Sequence, residues 1–377
     1  MTNRSVVRSA LTTLWLALLA AAPLAAAAAP AALKTRNVVL IVSDGLRWQE
    51  MFTGADPTLL NRQNGGIWDK EADLRREYWR DDVNERRKAL FPFIWNTVAA
   101  HGQILGNQLK GSVARVTNPF WFSYPGYNEM LSGHADPRVN SNDFGPNPNV
   151  TVFEWLNGLP DFHGQVAAFA SWATFKDIFN VERSHLPVHA GQDLPYKAEA
   201  GPREALMNEL TRNTTALESL VVYDSFLQIP LMDSFAKAQP RVLFVGYGET
   251  DDWGHMGRYD LLLRAAHSFD RYVEQLWNKL QSLPAYRDQT TFILTADHGR
   301  GSGPVEWKDH GVKERGSDNI WIAVMGPDTP PLGERTGTSE VHQAQIAATI
   351  AALLGKDYRQ AVPAAAPPID AVLGKGR

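Results

Sequence analysis

Asn37-Val-Val-Leu-Ile-Val-Ser-Asp-Gly45 is a near-continuous aliphatic and β-branched run closed by an acid and a glycine. Such a run reads as a strand buried on both faces, the habit of a parallel sheet. In open α/β sheets, ligands sit beyond the carboxyl ends of the strands. Asp44 is therefore where a site residue is expected. Gln165–Ser171, Arg241–Gly246, Thr290–Thr295 and Asn319–Met325 read the same way, and Gln103–Leu109 as a further strand. Between them, helical spacing covers Phe91–His101, Tyr127–Leu131, Thr151–Asn157, Thr214–Ala238, Tyr259–Leu283 and Ser339–Leu354. Strands alternating with helices predict an α/β fold, a mainly parallel sheet with helices on both faces.

Two other strands also end in acids. Arg241–Gly246 runs into Asp251-x-x-Gly-His255, and Thr290–Thr295 into Asp297-His298-Gly299. His310 follows in a glycine-bounded loop before the next strand. Parallel strands carry their carboxyl ends to one edge, so three aspartates and three histidines can converge from distant parts of the chain. Mixed carboxylate and imidazole ligands suit Zn²⁺, with Mn²⁺ or Fe²⁺ as alternatives, whereas Ca²⁺ and Mg²⁺ prefer oxygen. Six ligands exceed one tetrahedral ion and are enough for two. His342 is set aside in favour of His310 because it is read as lying inside a helix.

Asn118-Pro-Phe-Trp-Phe-Ser-Tyr-Pro-Gly-Tyr127 supplies a hydroxyl, Ser123, ahead of a short helical stretch. By itself Ser123 reads as a helix cap as readily as a nucleophile.

The chain has 377 residues, no cysteine and a formal charge of −4. That charge gives no case for nucleic acid or an anionic membrane as partner. Arg4 and Arg8, an apolar run over Ala10–Leu24 and an alanine tract ending at Ala29 predict a signal peptide over 1–29. Periplasmic or secreted localisation, with no membrane span after cleavage, is then expected. Residues 30–377 are expected to form one catalytic domain, with an exposed, charge-rich helical insertion at about 56–90. The Ala/Pro-rich stretch Ala361–Pro368 reads as a loosely packed terminus.

The order Asp44-Gly, Ser123-Tyr-Pro-Gly-Tyr with Leu131-Ser-Gly133, Asp251-x-x-Gly-His255, Thr295-Ala-Asp-His-Gly299 and His310-Gly resembles the alkaline phosphatase superfamily. It is most similar to the type I phosphodiesterase/nucleotide pyrophosphatase branch. The resemblance implies a three-layer sandwich and a two-zinc hydrolase of small-molecule phosphate esters. It implies one zinc on Asp251, His255 and His310, and a second on Asp44, Asp297 and His298 with Ser123. Ser123, activated by the second ion, would attack phosphorus in line and form a covalent phosphoseryl enzyme that water then hydrolyses. An Asn about twenty residues beyond the nucleophile binds phosphate in that branch; Asn142 is the choice among several here. Gly126 departs from the branch's Asn, and Tyr127 from the Arg of formylglycine sulfatases, which argues against a calcium sulfatase. Phosphonate hydrolase, mutase or sulfatase-like activity, or a degenerate member that only binds ligand, are the alternatives on this scaffold.

Overall fold

Strand β1 (Asn37–Ser43) has all seven residues buried, so side chains on both its faces are covered. In the computed structural model it is flanked on both sides by parallel partners, β6 (Val242–Tyr247) and β7 (Thr290–Thr295). The register sets Ser43 beside Tyr247 and Val42 beside Thr295, so the three strand ends that carry acids lie side by side. The structure describes residues 1–2, 32–193, 196, 201–216, 220–236 and 238–374; the signal peptide expected over 1–29 lies, but for its first two residues, outside them. By internal packing the chain divides into Met1–Ala32 and Leu33–Arg377, and the sheet and site belong to the second. Among the described residues no helix is long and apolar enough to cross a membrane.

The remaining strands are β2 (Gly102–Leu105), β3 (Ala114–Arg115), β4 (Val166–Ala170), β5 (Val188–Ala190), β8 (Asn319–Ile320), β9 (Ile322–Met325), β10 (Gly333–Glu334) and β11 (Val341–His342). Among the described residues eight form the main sheet in the order β10-β2-β9-β7-β1-β6-β4-β5, and β11-β3-β8 form a small one. In the main sheet only β9 runs against its neighbours. The fold is thus the mainly parallel α/β sandwich that the strand pattern predicts.

Five stretches differ from the sequence expectation. Gln103–Leu109 is strand only as far as Leu105, and Gln108–Lys110 is a turn of 3-10 helix capped by the Asn107 side chain. Asn319–Met325 is two strands, not one. Trp321 between them is fully buried and donates its indole N–H to Leu46 O, so the chain leaves one sheet and enters the other there. The last long helix is only Gln345–Leu353; Val341 and His342 pair with Ala114 and Arg115, and the Gln345 side chain accepts His342 N–H. Among its described residues, Thr214–Ala238 is helical over Asp224–Ser234, and ahead of that helix Val221 bridges to Trp172 in extended form. The Ala361–Pro368 stretch is packed rather than loose: Ala365 is buried and Ala366 N–H bonds Gly133 O.

The charge-rich stretch folds into Glu71–Tyr78 and Val83–Leu90, the second capped by Asp82. Leu74, Tyr78 and Leu90 enter the core. Asp69 pairs with Arg264 of the long helix Tyr259–Ser282 at 2.7 Å.

Candidate active site

The helix Ser123–Ser132 begins at the serine itself, four residues earlier than its spacing suggested. What fixes that start is Glu129, one turn and a half further on. Its buried carboxylate accepts Thr117 N–H and hydroxyl, Asn118 N–H and side-chain amide, and Ala344 N–H. Asn118, so held, accepts Phe120 and Trp121 N–H on its Oδ1. The chain then passes Trp121 at φ 58°, a left-handed conformation that a bulky residue adopts only under tertiary constraint. It emerges at Ser123 on the positive end of a ten-residue helix, a favourable place for an anionic group.

Ser123 Oγ stands 3.5 Å from Asp44 Oδ1 and 3.3 Å from His298 Nε2. Tyr127, one turn along the same helix, donates its hydroxyl to Asp44 Oδ2 at 2.9 Å. Gly45 N–H donates to Asp297 Oδ1 at 3.0 Å. Gly45 has φ 58°, and a Cβ there would lie 2.4 Å from Asp251 Oδ1; the glycine lets β1 end against the next carboxylate. Gly126 is likewise explained, since a Cβ on it would meet Asp297 O at 2.5 Å.

Asp251 and His255 are four apart on the helix Glu249–His255, hence on one face, with Oδ2 and Nε2 3.2 Å apart. His310 Nε2 lies 3.0 Å from His255 Nε2 and 3.8 Å from Asp251 Oδ1. His298 Nε2 lies 3.3 Å from Asp44, 3.4 Å from Asp297 and 3.9 Å from Asp251 carboxylate oxygens. Its Nδ1 is 2.8 Å from Gly299 O, which leaves Nε2 as the ligating nitrogen facing the carboxylates.

Charge is crowded here. Burial, then the neighbouring Asp44, pushes Asp297 well above the carboxylate range. Burial works against the Asp251 carboxylate too, but Arg300 first, then His255 and His310, hold it well below that range. Burial would lower His298, yet Asp297, Asp251 and Asp44 outweigh it and raise the imidazole to about 9. Burial and then His298 push His310 down to about 2.

In each of two sets, Asp251/His255/His310 and Asp44/Asp251/His298, the ligand atoms lie within 4.8 Å of one another. Asp297 Oδ2 is buried and makes no hydrogen bond. Crowded carboxylates, an orphaned buried oxygen and imidazole nitrogens form a donor set that fits divalent cations. The grouping differs from the expected ligand split in two respects: Asp251 approaches both sets, and Asp297 belongs to neither, although its Oδ2 lies 3.4 Å from His298 Nε2.

A cavity of about 410 Å³ opens over these groups, lined by Asp44, Ser123, Asp251, His255 and His310, with Asn142, Trp172 and Val221 on its wall. Asn142 thus reaches the site, with its Oδ1 occupied by Tyr124 N–H at 3.0 Å and its amide nitrogen as the remaining donor. The charge-rich segment 56–90 supplies none of the lining residues. His342 is on β11, not in the helix expected for it; it lies 3.7 Å from Glu340 and belongs to neither ligand set.

Sequence reading missed three supports. Tyr127 orients Asp44; Arg300 bonds Asp251 Oδ1 at 2.7 Å; Glu129 anchors the approach to Ser123. Arg300 follows Asp297-His298-Gly299 directly and could have been suspected from that position. Nothing in the local sequence marks Glu129, whose donors come from residues 117–118 and 344.

Residues 225–358 match the model of the Metalloenzyme superfamily. The metalloenzyme match takes in Asp251, His255, Asp297, His298 and His310, while Asp44 and Ser123 precede it. GPI ethanolamine phosphate transferase 1 of Emericella nidulans is 24% identical over 361 residues, 86% of this chain. The chain spans only 33% of that relative's length. Among solved structures, alkaline phosphatase PafA superposes with TM-score 0.55 at 11% identity, over 92% of this chain and 100% of that one. The phosphonate monoester hydrolase of Silicibacter pomeroyi gives 0.52 at 12% identity, over 91% and 78%. The alkaline-phosphatase-like fold expected from the motif order is therefore the fold observed.

Proposed function

We propose that this chain is an exported, metal-dependent phosphate ester hydrolase with Ser123 as nucleophile. The observation that carries the reading is Ser123 Oγ at a helix N-terminus, within 3.5 Å of both Asp44 and His298, two members of one metal-fitting donor set. Asp251, His255 and His310 would hold one zinc, and Asp44, Asp297 and His298, with Ser123, the second. When bound, such ions supply Lewis-acid stabilisation of charge on phosphoryl and leaving oxygens.

The chain's own residues do the rest. Tyr127 and Gly45 hold Asp44 and Asp297 in place for the serine. The helix N-terminus and the Asn142 amide face the phosphoryl group across the cavity. Ser123 Oγ forms the bond to phosphorus as the ester P–O bond breaks and the alcohol departs. Water then attacks the phosphoseryl group, releasing phosphate and restoring the hydroxyl. Trp172 and Val221 wall the side where the alcohol is accommodated. Support for export is the leader-like pattern of Arg4, Arg8 and the apolar run that follows.

The similarity to a phosphate transferase favours a second reading, in which an alcohol rather than water takes the group from Ser123. Assays with p-nitrophenyl phosphate, bis-p-nitrophenyl phosphate and p-nitrophenyl sulfate, before and after chelation, test both. Turnover of a phosphate ester that chelation removes and zinc restores is expected, with Ser123→Ala lowering it more than about a thousandfold. Absence of metal-dependent turnover, or activity surviving in Ser123→Ala, refutes the hydrolase. A phosphorylated alcohol formed in preference to free phosphate establishes the transferase.

A further inference from the structure

The helix that carries Asp251 and His255 has only seven residues and starts at Gly248, which has no side chain to close its first turn. The first N–H groups of a helix lack partners within it, and a side-chain oxygen usually supplies one. Here the oxygens belong to a residue 24 positions earlier. Asp224 Oδ1 accepts Gly248 N–H at 2.9 Å, and Asp224 Oδ2 accepts Glu249 N–H at 3.3 Å. Glu249 reciprocates. Its Oε1 accepts Asp224 N–H at 2.9 Å, at the start of Asp224–Ser234, a second helix with no cap of its own. Its Oε2 accepts the Trp253 indole N–H at 3.2 Å. Thr250, next along, donates its hydroxyl to Asp44 O at 2.5 Å and lies 2.8 Å from Ser43 Oγ. Each of the three residues ahead of Asp251 is thus tied to another part of the chain.

Asp224 and Glu249 lie on a separate cleft of about 280 Å³, with Tyr223, Trp253 and Tyr272, and this cleft shares no lining residue with the catalytic cavity. The two acids are costly to bury together. Burial, then Glu249, pushes Asp224 well above the carboxylate range, and burial raises Glu249 as well. Arg264, the cation on the cleft lining, pairs instead with Asp69 and Glu77. Serine, threonine or asparagine would cap either helix without a buried charge. A carboxylate adds something they lack: its two oxygens fix two successive N–H groups, which sets the direction of the helix start as well as its position. Departures from local rules of this kind gather at functional sites.

We propose that Asp224 is a positioning residue for the metal centre: it aims the first turn of Glu249–His255 so that Asp251 and His255 meet His310. The role rests on the metal-dependent reading of the site.

Zinc competition against a chromogenic chelator, on the whole zinc-loaded protein, tests the role without any turnover. Asp224→Asn fits the same space, leaves one of the two N–H groups without an acceptor and removes a buried charge, so a cooperative urea transition is expected to persist. At least one zinc is expected to bind about tenfold more weakly or worse, the lower end of the loss that follows removal of groups orienting metal ligands. Asp224→Ser, which offers a single oxygen, is expected to do the same. Leu227→Ala is the control. Leu227 is fully buried on the helix that Asp224 begins, outside the cap, so this variant loses stability while both zincs stay within about twofold of wild type. Asp224 variants that hold both zincs as tightly as wild type, or an equal loss of zinc in Leu227→Ala, overturn the role and leave the hydrolase standing. A wild-type protein that binds no zinc refutes the metal-dependent hydrolase and this role with it.

Discussion

Glu129→Gln isolates the anchor that presents the nucleophile. The carboxylate receives six hydrogen bonds from five donors, with no charged partner among them. An amide keeps one acceptor oxygen and places an NH₂ group on the other side. Its cheaper orientation turns NH₂ toward the Oε1 partners, where the Thr117 hydroxyl can rotate to accept. Ala344 N–H, bonded there at 3.2 Å, then loses its partner. One orphaned buried N–H costs about 1–3 kcal/mol, and each bond to the surviving oxygen weakens from about 1.5–3 kcal/mol toward about 1 kcal/mol. Taken at their lower ends, these losses sum to about 3 kcal/mol, read as a lower urea midpoint at unchanged m. The Asn118 turn is fixed through the same carboxylate, so a shift approaching 1 Å at Ser123 should lower kcat/KM about a hundredfold. A stability loss under about 1 kcal/mol with unaltered kcat/KM refutes the anchor argument.

Gly45→Ala places a methyl group in a left-handed residue, at about 1–2 kcal/mol, and drives it against Asp251. A lower Tm together with fewer metal ions retained per chain after dialysis is expected; full metal content would show that Asp251 gives way without consequence. Burial raises Asp270, which accepts Phe93 and Ile94 N–H, from 3.8 to about 7. Its contribution is complete below about pH 4 and is lost as pH rises through about 7, spanning up to about 4 kcal/mol. Urea unfolding across that range should therefore show Asp270→Asn gaining on the wild type as pH increases, and a constant difference between them contradicts the assignment.

Much of the sheet could be read from the chain because burial on both faces leaves a one-dimensional mark, an unbroken apolar run. Asn37–Ser43 and Thr290–Thr295 lie where that mark places them, and amphipathic spacing places the start of the long helix at Tyr259. The site residues at strand ends followed from the sheet's polarity alone. What escaped was set by partners remote in sequence. Val341–His342 is a strand because Ala114–Arg115 is there to pair with it, whatever its helical neighbours prefer. Trp321 splits a run of strand-forming residues because Leu46 O receives its indole. Ser123 begins a helix, rather than preceding one, because of Glu129. Ala361–Pro368 has the composition of a loose tail, and what holds it down, the Gly133 carbonyl and the Gln345 side chain, comes from elsewhere in the chain.

The place of β1 at the centre of the sheet also sets the order in which the chain can be finished. It is the first strand of the sheet to be made, yet both its neighbours follow about 200 residues later or more, a highly non-local pairing that slows folding. Until Val242–Tyr247 has emerged, an aliphatic run with two bare edges has nothing of its own to pair with, and it has the composition of an aggregation-prone segment. Any fragment of this chain that stops short of β6 therefore carries its own seed of misassembly, and soluble expression is to be sought only with both late strands included.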